Sequence, residues 1–452
     1  RGLFRLQRDV EGGLETDLYR VWFHRMERPE EENAWHPDAL IPLGWGESFD
    51  LPDRDNGIPG QIAREFWVDV YAPPDVPAGP RDLRIRLLKG KDVEVLAIPV
   101  RVSDVCLPAQ PLFILDNNSY GCRWLVESYP RTLAAAASPD RFWRTVCELL
   151  HHYYRVAHEH RMTFHNLGYG HSGEFDPIYG PRATGVGRQI RLTDWKWFDG
   201  YHGPLLDGSA FRRAAPAMPP PRRAAEPVWG VYTPINPQWP SSVIKWGTPG
   251  YEVEFVEGIR QFDAHMRENS WVHTRMELFF NHKKRYRWFE WDGDECKFAK
   301  DDAYHLRMLD MWQKAIEGSP VPWVYRVDAS WRMRDQFRVL SCGRNFWVVA
   351  GFCAWYPKEL RATLARGDTL FGYGGYAKIT EASVASLKDP WTFWARGLHG
   401  YCEWLTPRPG RDPWFHCDGA PHGVFYPGER FGIAGPLPVS YTHLTLPTIY
   451  SV

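Results

Sequence analysis

The sequence predicts two units: an N-terminal antiparallel β-sandwich, then a (β/α)8 barrel of the TIM type, truncated before its last helix. Three observations carry this. Residues 1–107 read as short strands between turn signals, with no helical period. Over residues 108–439, eight apolar strand segments alternate with helical segments. Polar residues gather at the C-terminal ends of those eight segments, where such a barrel keeps its chemistry.

Taken in order, Phe66–Tyr71 alternates and is followed by the turn signal "APPDVPAG". "LRIRLL" and "VEVLAIPVRV" come next, with Pro99 marking an edge strand or a bulge. "CLPAQP" is the linker. "LFILDN" is the first barrel strand. Ser138 as N-cap and Pro139 behind it open a helix with Phe142, Val146, Leu149 and Tyr153 on one face. "MTFHNLGYG" is strand two. A long irregular insertion spans 171–226, and "AMPPPRRAAEP" is its least ordered part. "PVWGVYTPI" is strand three. Phe255, Ile259, Phe262 and Met266 mark the next helix. "RMELFFNH" is strand four. Leu306, Leu309, Trp312 and Ile316 mark a helix that stops at Gly318. "WVYRVDAS", "NFWVVAG", "TLFGYGG" and "GYCEWL" are strands five to eight, with helices near 357–366 and 381–398. An eighth helix would follow "GPLPV". Residues 440–452, "SYTHLTLPTIYSV", look like translated sequencing adapter of the kind found on metagenomic reads, and they are expected to pack poorly.

Composition excludes some function classes. A net charge of -1 and a pI near 7.1 give no field for nucleic acid or an anionic membrane. The basic stretches "HKKRYR" and "PPPRRAA" are short and match no nucleic-acid-binding motif. No apolar run is long enough to span a membrane. Eight scattered Cys without a C-x-x-C pair argue against a disulfide framework and a zinc finger. His151, His152, His158, His160, His165 and His171 crowd one region, but without H-E-x-x-H they read as a solvated helix face rather than a metal site. No cofactor is expected. Of the 23 Trp, 21 Tyr and 24 Phe, part is core; carbohydrate sites also use flat rings, which stack on the apolar faces of pyranoses. The chain begins at Arg1 without a visible signal peptide, which leaves localisation open; a glycan substrate fits an exported protein.

The stretch "RWFEWDGDEC", residues 287–296, sets Asp292, Asp294 and Glu295 beside Trp288 and Trp291. Glycoside hydrolysis needs a proton donor and a group that stabilises positive charge at the anomeric carbon. Clustered carboxylates beside aromatic walls supply both. The bland alternative is a solvated turn, with Glu295 opening the next helix. Adjacent residues on a strand face opposite ways, so Asp294 and Glu295 can share a substrate only where the backbone bends, which Gly293 permits. If they diverge, Asp328 or Glu403 is the second carboxylate. Further substrate-binding candidates at strand ends are Asp116, Asn117 and Asn118, then His165 and Asn166, Asn236, Asn281 and His282, Tyr373 and Trp404.

Several segments also carry a resemblance. "YAPPDVPAG", "DWKWFDGYHGPLLDGSAF", "VYTPINPQWP", "ELFFNHKKRYR" and "FYPGERFGIAGPLP" occur in the order found in glycoside-hydrolase-like proteins of the DUF4091 type, relatives of glycoside hydrolase family 123. The resemblance covers residues 20–439. It implies a sandwich followed by a barrel, and a carbohydrate substrate. In family 123 an adjacent Asp-Glu pair acts on 2-acetamido sugars with retention. The Asp orients the acetamido group, whose oxygen attacks the anomeric carbon, and the Glu protonates the leaving oxygen. The matching positions are Asp294 and Glu295. Cys296 stands where the relatives have Pro, and Asp292 adds a third acid. The alternative is a non-catalytic glycan-binding protein on the same barrel.

Overall fold

A computed structural model describes every residue except 1–2, 26–34, 169–170, 173–175, 214–216, 236–248, 287–288, 380, 408–412, 416–422 and 439–452. Asn236, Trp288 and the 440–452 tail therefore lie outside the described residues.

The N-terminal strands are β1 (Leu3–Val10), β2 (Glu15–Arg25), β3 (Trp35–Leu43), β4 (Ser48–Asp50), β5 (Phe66–Tyr71), β6 (Gly79–Lys89) and β7 (Asp92–Val102). They form two antiparallel sheets, ordered β4-β1-β6-β7 and β3-β2-β5. Leu6, Leu18 and Phe49 pack together with Phe66, Ile85 and Leu87 from both sheets. β7 ends its sheet, so Pro99 removes no ladder bond that a neighbour needs.

The second part follows with β8 (Ile114–Tyr120), α1 (Trp124–Ser128), α2 (Pro130–Ala134), α3 (Pro139–Glu159) and β9 (Thr163–Leu167). A ribbon of β10 (Arg182–Thr184) and β11 (Arg191–Thr193) leads to α4 (Lys196–Leu206). Next come β12 (Gly230–Tyr232), α5 (Tyr251–Glu268), β13 (Arg275–Phe279), α6 (Ala299–Ala315), β14 (Trp323–Ala329) and α7 (Met333–Val339). The series closes with β15 (Asn345–Ala350), α8 (Pro357–Ala365), β16 (Thr369–Gly374), α9 (Lys388–Ala395) and β17 (Gly400–Glu403), and the hairpin β18 (Phe425–Pro427)–β19 (Pro436–Pro438). Eight parallel strands hydrogen-bond in the order β12-β13-β14-β15-β16-β17-β8-β9, and the two end strands lie side by side. This is a nearly closed TIM-like barrel behind a β domain.

Strand parity builds the barrel. Ile114, Val324, Phe346, Val348, Phe371 and Cys402 pack with one another inside it. Residues of the other parity, such as Leu115, Phe164, Met276, Leu278, Tyr325 and Trp347, join the core shared with the helices. The Ser138 hydroxyl accepts from the Arg141 N–H at 3.3 Å and caps α3. In α6 the buried stripe is displaced: His305, Met308, Leu309 and Trp312 are buried, while Leu306 is 44% exposed.

Two expectations change. The histidine-rich face of α3 is covered, not solvated. His151 contacts the Tyr201 carbonyl at 2.7 Å; His158 contacts the Ala224 carbonyl at 3.0 Å and stacks on Phe211. Burial lowers both imidazoles to about 4. Among the described residues no group is arranged to hold a metal ion. Second, "AMPPPRRAAEP" is tied down rather than loose. Arg222 ion-pairs with Asp17 and Glu15, and Glu159 accepts from the N–H groups of Arg222 and Arg223. These bonds join the insertion to the sandwich and to α3.

Candidate active site

Inward parity carries a column of charge up the barrel. β8 contributes Asp116 and Asn118, β9 His165, β13 Glu277, and β14 Arg326 and Asp328. The His165 Nδ1 lies 3.0 Å from Asp116 Oδ2, and its Nε2 lies 3.3 Å from Glu277 Oε2. Arg326 reaches Glu277 at 3.3 Å and grips Asp328 with two bonds, Nε to Oδ1 at 2.8 Å and Nη2 to Oδ2 at 3.1 Å. Its guanidinium also lies over the Phe279 ring, 4.5 Å from the centroid. Gly230 makes room for this column, since a Cβ there would sit 2.9 Å from Glu277 Oε1. Burial alone would lower His165; Glu277 and Asp116 outweigh it and raise the imidazole, favouring imidazolium. Burial pushes the Asp328 carboxyl up to about 6 against the pull of Arg326, with Asp294 and Glu277 adding to the rise.

Above this column lies the acid loop between β13 and α6. Gly293 N–H donates to the His282 carbonyl at 2.9 Å, which pins the loop to the end of β13. The bend expected at Gly293 falls instead at Glu295, whose φ is +49°. Gly293 serves packing: a Cβ there would lie 2.1 Å from the Phe280 carbonyl oxygen. The left-handed turn brings adjacent acids to one cation. Lys283 Nζ lies 3.2 Å from Asp294 Oδ2 and 2.5 Å from Glu295 Oε2. His171 Nε2 also reaches Asp294 Oδ2, at 3.2 Å. Asp294 is buried and Glu295 half-exposed. Burial alone would lower the Lys283 ammonium; Asp294 and Glu295 more than reverse this and keep it above its ordinary value. Glu295 is not helical, because α6 opens four residues later with Asp301 and Asp302 in its first turn. Cys296 is buried, its thiol donating to the Asp292 carbonyl at 3.0 Å.

Aromatic rings wall the space around these acids. Tyr120, at the end of β8, lies 6.3 Å from the His171 ring and 6.4 Å from the Trp404 ring. Tyr286 lies 5.3 Å from His171 and is 51% exposed at the rim. Burial raises the hydroxyls of Tyr120 and Tyr373, and both also feel the charges of Asp294 and Asp328. The barrel mouth thus combines two convergent carboxylates, a third below them, a cation between the first two, and flat apolar rings. Such a set can bind a polyhydroxylated ring and move a proton to one of its oxygens.

The other candidates are placed differently. Asn117 and Asn166 sit on outward parity. The Asn117 Oδ1 accepts from the Tyr376 hydroxyl at 3.2 Å, and Asn166 bonds Ser119 at 2.7 Å and the Tyr201 hydroxyl at 3.2 Å. His282 lies in the aromatic core, 4.2 Å from the Phe289 ring and 4.5 Å from the Trp291 ring. Trp291 is buried there too and stacks on Tyr304 at 5.5 Å. Asp292 accepts from the Lys284 N–H at 2.7 Å and braces the loop. Asn281 is buried just beyond β13. Glu403 is fully buried at the end of β17, where its charge acts on Tyr376. Sequence reasoning missed Tyr120, Tyr286 and Glu277; it read His171 only as part of a solvated cluster, and it named Arg326 as a partner for Asp328, which the structure shows. Tyr120 had a signal, since it shares the parity of Asp116. A separate groove of about 1230 Å³ lies between the sandwich and the other end of the barrel. Two of its arginines are engaged within the protein: Arg222 by Glu15 and Asp17, Arg223 by the carbonyls of His158 and Ala109.

The β domain and the nearly closed parallel barrel define the fold, and the acids and rings lie at the barrel's mouth. No protein-family model matches the sequence, and no curated protein matches it. Solved structures do. A family 123 glycoside hydrolase from Clostridium perfringens, described for glycolipid glycan hydrolysis, superposes with TM-score 0.60 at 9% identity, over 98% of this chain and 77% of its own. The N-terminal endo-1,4-beta-D-xylanase 10B modules of Clostridium thermocellum give TM-score 0.37 at 10% identity, over 99% and 85%. A Bacteroides uniformis beta-glucuronidase gives 0.31 at 8%, over 93% of this chain and 48% of its own, so the chain spans about half of that enzyme. At 9% identity the likeness to the family 123 structure is one of fold. Among the described residues no helix is long and apolar enough to cross a membrane.

Proposed function

We propose that the protein is a glycoside hydrolase that acts on glycans bearing a 2-acetamido sugar, with retention, using Asp294 and Glu295. The observation that carries this reading is the left-handed turn at Glu295, which directs both acids to one cation at the barrel mouth. In this scheme Asp294 accepts the acetamido N–H and orients the group. The acetamido oxygen attacks the anomeric carbon as the glycosidic C–O bond breaks, and Glu295 gives its proton to the leaving oxygen. Glu295 then takes a proton from water, which opens the cyclic intermediate and restores the starting stereochemistry. Asp328, Tyr373 and Trp404 serve as substrate contacts. Asp116 and His165 support the floor. Asn117, Asn166, His282, Trp291, Asp292 and Glu403 act through the scaffold. The unit boundaries belong to the same reading: a sandwich over 1–107, and a barrel over 108–439 with its insertion at 171–226.

The test is hydrolysis of 4-nitrophenyl glycosides with and without the 2-acetamido group, beside Glu295→Gln. Turnover confined to 2-acetamido substrates and lost in the variant supports the scheme. The second reading, a non-catalytic glycan-binding protein, draws on Lys283, which already engages both acids. Glycan binding by a folded protein that hydrolyses none of these substrates would favour it.

A further inference from the structure

We infer that Lys283 is a positioning residue that fixes which oxygen of Glu295 carries the proton to the leaving group. This rests on the hydrolase reading. The Lys283 ammonium is the point where the two acids meet, 2.5 Å from Glu295 Oε2 and 3.2 Å from Asp294 Oδ2. Its side chain is 12% exposed, and its own N–H donates to the His171 carbonyl at 3.0 Å. The cation is therefore anchored at its base and engaged at its tip. An ammonium has donors only. In a carboxylic acid the carbonyl oxygen accepts better than the hydroxyl oxygen, so an ammonium held at Oε2 favours the form of Glu295 that carries its proton on Oε1. Asp294 Oδ2 is held by His171 as well as by Lys283, so the orientation of Asp294 does not depend on Lys283 alone. The latch also accounts for a non-glycine residue holding φ of +49° at the centre of the site, because the ion pair stabilises a turn the backbone resists.

A positioning role of this kind predicts a dependence on the leaving group. In Lys283→Met, turnover of 2-acetamido glycosides with poorly leaving alcohols should fall by about 100-fold, the lower end of what a placed proton donor contributes. Dinitrophenyl 2-acetamido glycosides, whose phenolate departs without a proton, should lose less than about 5-fold. KM should stay within about 3-fold for both, since substrate binding is intact. Lys283→Arg should recover part of the loss, and ethylammonium should restore part of the turnover of Lys283→Ala, which separates a missing cation from a disturbed fold. An equal loss for both leaving groups, no loss, or a loss that neither arginine nor the added amine relieves would overturn the inference while the hydrolase reading stands. Failure of the wild-type protein to hydrolyse either substrate would remove the hydrolase reading, and this inference with it.

Discussion

Gly293→Ala tests the link between loop packing and chemistry. The new Cβ would lie 2.1 Å from the Phe280 carbonyl oxygen, 2.7 Å from Phe280 Cβ and 2.9 Å from His282 Cε1. All three atoms belong to the buried end of β13 and its continuation, and none is the free tip of a flexible side chain. Non-bonded carbon contacts settle near 3.5–4.0 Å, so the loop must retreat by roughly 1 Å. Overpacking of this size costs about 1–3 kcal/mol. Asp294 and Glu295 ride on the displaced segment, and a misplacement of about 1 Å can cost about 100-fold in rate. The expected result is a folded variant, about 1–3 kcal/mol less stable in urea, with kcat lowered by about two orders of magnitude. Gly318→Ala is the control. That residue also resists a side chain, with φ of +73°, but a Cβ there meets no atom within 4 Å. It should lose about 1 kcal/mol and keep its activity. A Gly293→Ala protein within about 0.5 kcal/mol of wild type and within about 3-fold in turnover would refute the reasoning.

Arg326→Met removes the fully buried guanidinium shared by Glu277 and Asp328, and should cost about 3–5 kcal/mol in denaturant at pH 7; a loss under about 1 kcal/mol would contradict the buried charge column. His282→Phe tests placement by pH. Burial holds the His282 imidazole well below its ordinary value, so its contribution is whole above about 6.5 and is lost as pH falls. The phenylalanine variant lacks that penalty and should gain about 2 kcal/mol on wild type between pH 7.5 and pH 5, with turnover little changed. A pH-independent gap would mean that His282 is solvated.

Much of the barrel was legible because parallel strands buried on both faces leave apolar runs, and Ser138–Pro139 marks a helix start by local chemistry. The acid cluster was visible in the sequence and its Asp-Glu pair was named through the family resemblance, but the convergence of the two side chains was not legible. A left-handed Glu295 is set by Lys283 and by the close approach of Gly293 to Phe280, contacts that join separate parts of the chain. Strand-end polarity misled in a consistent way. Asp116, Asn117, His165 and Asn166 look alike in sequence, yet parity sends Asp116 and His165 into the barrel and the two asparagines toward the helices. The signal was present in the neighbours. Leu115, Phe164, Met276, Leu278 and Phe280 are apolar core, so Asn117, Asn166 and His282, in step with them, belong behind the strands. α3 misled for the opposite reason, since His151 and His158 look like a wet face until the insertion covers them.

The interior column explains why a barrel would keep so many charges out of water. Replacing a buried ion pair by apolar side chains is often neutral or stabilising, so stability alone does not favour Asp116, His165, Glu277, Arg326 and Asp328 over the valines and phenylalanines of the layer below. Their order does favour them. Each group is held by the next, and the last, Asp328, is gripped on both oxygens by one guanidinium. A carboxylate fixed this way cannot rotate when substrate arrives. In the proposed reaction positive charge develops at the anomeric carbon, and a floor oriented before the event stabilises that charge without reorganising. The column also constrains the acids above it. Asp294 shares its field with Asp328, so a second negative floor would oppose the ionised pair unless a cation stood nearby. Two cations oppose that repulsion: Arg326, bound to Asp328 on both oxygens, and Lys283, bound to Asp294 and Glu295, so that in the proposed reaction the column orients the floor while the ammonium holds the acids above it.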